Sequence, residues 1–156
     1  MRELVYKQGN IVDAEEIIIA HGCNSMGVMG SGVARVIKAK YPEAYACYRR
    51  RYEEEGLNIG DVILAPCENG KIIANCITQK YYGREKGHIY LDYAALRHCM
   101  VILNDFAKSV KKVQLLESLT VAMPMIGSGL AGGNWNKISK ILLDESSEFE
   151  IVVYTI

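Results

Sequence analysis

The chain has no surplus of charge of either sign: eighteen Lys and Arg face eighteen Asp and Glu. That balance offers nothing to a nucleic-acid backbone or an anionic membrane. The basic run Arg49-Arg50-Arg51 is offset by Glu53-Glu54-Glu55 and reads as a solvated helix end. Cysteines are few and unpaired in pattern. Five are scattered, with no C-x-x-C, and the three histidines fall at no ligand spacing with them. A zinc site and a disulfide framework are therefore excluded, no metal is expected, and a reducing cytosol is the natural compartment. The N-terminus has no apolar leader core, and no apolar run reaches membrane-spanning length. What is abundant is hydrophobic residues, half of the 156. Disorder is excluded, and residues 1–156 are expected to form a single domain with one real core.

Read in order, residues 4–7 predict a first strand, punctuated by Gln8-Gly9-Asn10. Residues 17–21 are β-branched and apolar without alternation, as in a strand buried on both faces. A helix follows, with Val33, Ala34, Val36, Ile37 and Tyr41 on one face. Pro42 ends it and opens a second. Residues 61–66 and 71–78 predict two strands joined around Asn69-Gly70, a hairpin signal. Residues 79–88 are polar and aromatic and read as an exposed loop. A helix from about Asp92 carries Leu96, Met100, Leu103 and Ala107 at helical spacing. Strand 119–125, a helix capped by Asn134 and a closing strand 150–156 complete the chain. Alternating helices and strands with one hairpin predict an α/β protein: three layers, α/β/α, around a central mixed sheet.

Two glycine-rich stretches each follow a buried strand: Gly27-Val28-Met29-Gly30-Ser31-Gly32 and Gly127-Ser128-Gly129-Leu130-Ala131-Gly132-Gly133. In open α/β sheets such loops face the carboxyl edge, where ligands bind. Backbone N–H groups and a helix N-terminus there favour an anion. The first stretch lacks Gly-Lys-Ser/Thr, so it is no triphosphate loop. The second has dinucleotide spacing but lies far down the chain. The first strand ends in Gln8-Gly9-Asn10, without the glycine fingerprint, which excludes a Rossmann dehydrogenase. Either loop alone fits a tight strand-to-helix turn. Together they predict a ligand with a pyrophosphate.

The segments His21-Gly22-Cys23-Asn24-x-x-Gly27-Val28-Met29-Gly30-Ser31-Gly32-Val33-Ala34, Tyr41-Pro42, Gly60-Asp61-Val62, Ile77-Thr78-Gln79-Lys80 and Pro124-Met125-Ile126-Gly127-Ser128-Gly129-Leu130-Ala131-Gly132-Gly133-x-Trp135 resemble the macro domain. They look most like its ADP-ribose-1″-phosphate phosphatase branch. The resemblance implies a macro domain fold and a cleft for ADP-ribose or ADP-ribose-1″-phosphate. It matches Asn10 and Ile11 to the adenine site, with Asn10 standing where the family has a carboxylate. It matches Asn24 to the distal ribose, Gly30, Ser31, Gly32 and Val33 to the ribose and pyrophosphate, and Gly127, Ser128, Gly129, Leu130 and Ala131 to the second phosphate loop.

Two catalytic candidates follow. His21 stands at a strand exit, and its residue type titrates near neutral pH. It is either a catalytic acid, base or nucleophile, or a satisfied core histidine. Asp92 is either an acidic catalytic group or a helix N-cap. Lys80 is a phosphate-facing charge or an exposed one. A lysine-based glycohydrolase would also need an acid where Ala131 stands. The expected activity is therefore metal- and cofactor-independent hydrolysis of ADP-ribose-1″-phosphate to ADP-ribose and phosphate. The alternatives are a non-catalytic module that binds or sequesters ADP-ribose, with an ADP-ribosylated protein as partner, and an ADP-ribosyl ester or protein hydrolase.

Overall fold

A computed structural model describes residues 2–83 and 85–156; Arg84, within the loop anticipated at 79–88, lies outside the described residues. The strands are β1 (Val5–Gln8), β2 (Ile18–Asn24), β3 (Val62–Pro66), β4 (Ile72–Gln79), β5 (Thr120–Met123) and β6 (Glu150–Thr155). The helices are α1 (Gly32–Lys40), α2 (Pro42–Glu54), α3 (Tyr93–Gln114) and α4 (Trp135–Glu145), with a 3-10 turn at Ile11–Asp13. The six strands form one sheet in the order β1-β6-β5-β2-β4-β3. Every neighbouring pair is parallel except β3 and β4. That exception is the hairpin turned at Asn69-Gly70, where Gly70 takes φ +87°. The expected mixed sheet is the one observed.

Successive side chains of β2 leave the sheet on opposite faces, as strand geometry requires. Ile18 and Ala20 join a core with Leu96, Met100 and Leu103 of α3 and Ile138 and Leu142 of α4. Ile19 joins the opposite core with Ile37 of α1 and Ala44 of α2. Cys23 packs there too, against Met29 and Tyr48. The absence of alternation in residues 18–21 thus has its cause: both faces are covered, while Ile17, expected in the same strand, lies before it and is exposed. Pro42 separates α1 from α2 as anticipated, with Tyr41 buried at the joint and its hydroxyl donating to the Val12 carbonyl at 2.9 Å. Among the described residues no helix is long and apolar enough to cross a membrane.

Candidate active site

Because β1, β6, β5, β2 and β4 run parallel, their carboxyl ends lie on one edge of the sheet. A cleft of about 890 Å³ opens along that edge. Gly9 and Ile11 line it after β1, and Tyr154, Thr155 and Ile156 at the end of β6. Residues 124–131 line it after β5, Gly22 to Asn24 and 30–34 after β2, and Thr78, Gln79, Tyr82 and Gly83 after β4. The sheet order therefore fixes the order of subsites along the cleft. Among the described residues, no Lys, Arg, Asp, Glu or His belongs to this lining.

The first glycine loop is shaped from below. Gly27 has φ +78°, and a Cβ there would lie 2.7 Å from the Tyr52 ring, so a side chain is barred on two counts. The Asn24 amide staples the loop. Its Oδ1 accepts from the Met26 N–H at 2.9 Å, and its Nδ2 donates to the Val28 carbonyl at 2.9 Å. The buried Tyr48 hydroxyl lies 2.7 Å from the Asn24 carbonyl and 2.9 Å from Oδ1, sharing its proton between them. Burial pushes the Tyr48 phenol up, so it stays a donor. One Nδ2 hydrogen of Asn24 remains for a ligand.

The loop ends at Ser31, the N-cap of α1, which makes no side-chain capping bond. Asp92 and Asn134, at the N-termini of α3 and α4, both do. The first N–H groups of α1 are thus left without a side-chain cap at a helix start that lines the cleft, where the helix dipole is positive. The second loop faces it. A Cβ on Gly32 would sit 3.6 Å from Leu130 Cδ1, so the two loops nearly meet. Gly133 donates to the Gly127 carbonyl at 2.8 Å, closing the second loop on itself. Tyr90 and Leu91 both donate to the Ala131 carbonyl, at 2.8 and 3.2 Å, and fasten the loop to the segment before α3. Two backbone cradles a few ångströms apart fit a pyrophosphate.

The macro domain family profile matches residues 20–142. The chain belongs to the macro domain family. It is 27% identical to the ADP-ribose 1″-phosphate phosphatase of Saccharomyces cerevisiae, over 99% of each chain. It is 26% identical to the DNA ADP-ribosyl glycohydrolase of Thermus aquaticus, over 97% of this chain and 41% of that protein. The macrodomain of Mycobacterium tuberculosis DarG superposes with a TM-score of 0.79 at 21% identity, over 100% of this chain and 99% of that one, a likeness of fold.

In this macro domain the residues anticipated from sequence divide into two groups. Ile11, Asn24, Gly30, Ser31, Gly32, Val33 and all of 127–131 line the cleft. His21, Asp92, Lys80 and the Asn10 side chain do not. His21 is fully buried, and its Nε2 lies 2.6 Å from Asn75 Oδ1. Because an amide oxygen can only accept, Nε2 carries the hydrogen. Asn75 in turn donates to the carbonyls of Ala44 and Ile63, each at 3.1 Å. Desolvation lowers His21 from 6.5 to about 4, partly opposed by the bond to Asn75. It is neutral at pH 7 and shut from solvent. That geometry is at odds with the catalytic role anticipated for it and corrects the expectation to the core reading. The strand pleat is the reason: residue 21 points with Ile19 and Cys23 into the α1–α2 layer, and only the Gly22 side faces the other way. Cys23 Sγ lies 3.6 Å from His21 Nε2, but burial pushes the thiol up, so no thiolate–imidazolium pair forms.

Asp92 caps α3, its Oδ1 accepting from the Ala95 N–H at 2.9 Å. It shares a smaller hollow, about 230 Å³, with Lys80, Tyr81, His88 and Tyr90. Lys80 Nζ stands 5.3 Å from the centroid of the Tyr81 ring. Both charged candidates thus sit beside the cleft, around the chain that follows Gln79. Asn10 turns its Oδ1 onto the Val12 N–H at 3.2 Å, capping the 3-10 turn. No group of three or more potential metal-binding side chains occurs among the described residues.

Sequence reasoning missed Thr78, Gln79 and Tyr154 as lining residues. Thr78 is notable because its buried Oγ1 has no hydrogen-bond partner among the described residues. It lies 2.9 Å from where a Cβ on Gly22 would be, so only glycine fits above it. The available signal was a polar pair, Thr78-Gln79, ending an apolar strand.

Proposed function

We propose that this macro domain binds ADP-ribose 1″-phosphate in the cleft and hydrolyses its terminal phosphate. The observation that carries the reading is the uncapped α1 N-terminus facing a second backbone loop across the cleft. Such a cradle holds a pyrophosphate through N–H groups without a lysine or a metal ion. The likeness to a yeast protein named for this activity, over the full length of both chains, supports the same substrate.

The ribose end of the ligand lies toward β4, next to the hollow that holds Asp92 and Lys80. Asp92 is the general base: one carboxylate oxygen caps α3 and the other takes a proton from water. The water oxygen joins phosphorus, the bond from phosphorus to the ribose oxygen breaks, and the ribose oxygen gains a proton. Lys80 offsets charge on the phosphoryl group. His21 contributes only by holding β2 against β4 through Asn75.

The test is inorganic phosphate release from ADP-ribose 1″-phosphate by the wild type and Asp92→Asn. Asparagine is as good an N-cap, so the fold is kept and the variant reads the carboxylate alone. Loss of the base should cost about 10²- to 10⁴-fold in kcat, with ADP-ribose affinity unchanged. An undiminished rate in Asp92→Asn would remove Asp92 from the mechanism. No release by the wild type, with tight ADP-ribose binding, would favour a non-catalytic binder. Release of free ADP-ribose from an ADP-ribosylated substrate, abolished by Lys80→Ala, would instead favour a glycohydrolase.

A further inference from the structure

Thr78 is the last buried residue of β4, and it carries a hydroxyl that the fold itself does not use. The residue is fully buried. Among the described residues, its Oγ1 is the one buried side-chain nitrogen or oxygen without a hydrogen-bond partner. A shut-in hydroxyl of this kind costs stability, and a valine of nearly the same shape would not. Packing accounts for the methyl group of Thr78 and leaves the hydroxyl unexplained.

The hydroxyl stands beside an opening. Thr78 and Gly22 both line the cleft, on the neighbouring strands β4 and β2. Gly22 is partly exposed between the buried His21 and Cys23. A Cβ there would meet Thr78 Oγ1 at 2.9 Å and Ile126 Cγ1 at 3.2 Å. Gly22 does not have a positive φ, so space and not backbone conformation calls for glycine. Its bare Cα leaves a notch in the cleft floor, walled by one hydroxyl and one apolar side chain.

The walls decide what the notch takes. In the nucleotide reading above, on which this inference rests, the phosphates go to the N–H groups of α1 and of the second loop. A phosphate oxygen pressed onto one hydroxyl and Ile126 would lose its water with little return. A neutral hydroxyl on the ligand's terminal ribose can both donate to Oγ1 and accept from it. Thr78 is also tied to the reacting end, because its carbonyl accepts from the Asp92 N–H at 2.9 Å.

We propose that Thr78 is a specificity-determining residue whose hydroxyl bonds a hydroxyl of the ligand's terminal ribose, so that the cleft tells ADP-ribose from ADP. The test is calorimetric titration of the full chain with each of these two nucleotides, for the wild type, Thr78→Val and Thr78→Ser, with Tm measured alongside. Thr78→Val removes the unpartnered hydroxyl, so Tm should hold or rise. Its affinity for ADP-ribose should fall about tenfold or more, while its affinity for ADP is unchanged. Thr78→Ser keeps the hydroxyl and should keep the wild-type preference between the two. A fall in Tm of Thr78→Val would show the hydroxyl bonded within the protein. Equal losses for both ligands, or no loss for ADP-ribose, would show that it does not meet the ribose. A loss in Thr78→Ser as large as in Thr78→Val would trace the effect to something other than the hydroxyl. Each of these overturns the proposal and leaves the proposed function standing. The expected pattern without any phosphate release would remove the phosphatase step and leave Thr78 in its role. If neither nucleotide binds the wild type, both fall.

Discussion

Replacing His21 by glutamine removes one titrating ring while leaving an amide N–H to donate to Asn75 Oδ1. The pH dependence of stability then measures what burial does to His21. In the folded protein its pKa is about 4, against 6.5 for the unexposed-to-charge reference value of the unfolded chain. Between those values the unfolded state binds a proton and the folded state does not. Stability therefore falls as pH falls through that window, is fully present above about pH 6.5, and declines no further on this account below about pH 4. A displacement of about 2.5 units at 1.36 kcal/mol each gives about 3 kcal/mol, and roughly 2.5 kcal/mol of it is lost by pH 4.5. Urea unfolding of the wild type and His21→Gln at pH 7.5 and pH 4.5 isolates this from the other titrating groups, which both proteins share. The wild type should lose about 2.5 kcal/mol more than the variant. Parallel losses would refute the buried, neutral assignment and return His21 to contention as a solvent-reaching catalytic group.

Ser31→Asp gives α1 the cap it lacks and should leave Tm unchanged or raise it, since a good N-cap is worth about 1 kcal/mol. The same carboxylate occupies the anion cradle, so ADP-ribose affinity by calorimetry should fall at least about tenfold; unchanged affinity would place the pyrophosphate elsewhere. Gly132→Ala puts a Cβ at φ +74° and 2.7 Å from the His88 carbonyl, a clash of backbone with side chain that rotamer changes cannot relieve. It should destabilise by roughly 2 kcal/mol in urea unfolding and weaken ADP-ribose binding, because the second loop must leave the segment that holds it. Wild-type stability in that variant would refute the docking of this loop.

Period and punctuation carried most of the fold. The unalternating run at 17–21 meant a doubly covered strand, Asn69-Gly70 a hairpin and Pro42 a helix break, and each has its counterpart in the structure, except that Ile17 precedes the strand and is exposed. The two glycine loops were legible because positive φ at Gly27, Gly32, Gly127 and Gly132 favours glycine there whatever surrounds them. The side-chain chemistry was harder to read. His21 was misjudged because its place at a strand exit was visible and its pleat direction was not. One residue along, Gly22 faces the cleft. Thr78, Gln79 and Tyr154 went unseen because they become neighbours of the glycine loops only through the strand order, which no local pattern states.

A cleft edged by backbone loops and, among the described residues, by no charged side chain explains why the zero net charge and the absence of any phosphate-binding lysine motif did not count against a nucleotide site. A lysine ammonium in the cleft would bind a pyrophosphate at long range and lose strength with salt. Backbone N–H groups fixed by Asn24, Tyr48 and the closure from Gly133 to Gly127 are already ordered before the ligand arrives. Their entropy has been lost in folding, so binding need not supply it again. The same rigidity separates recognition from chemistry. The loops of the cradle and the hollow that holds Lys80 and Asp92 are made of separate residues. Full-length likeness to a phosphatase and likeness to a glycohydrolase are then compatible with one cleft, and the roles proposed for Lys80 and Asp92 in the adjoining hollow are what the phosphate- and ADP-ribose-release assays separate.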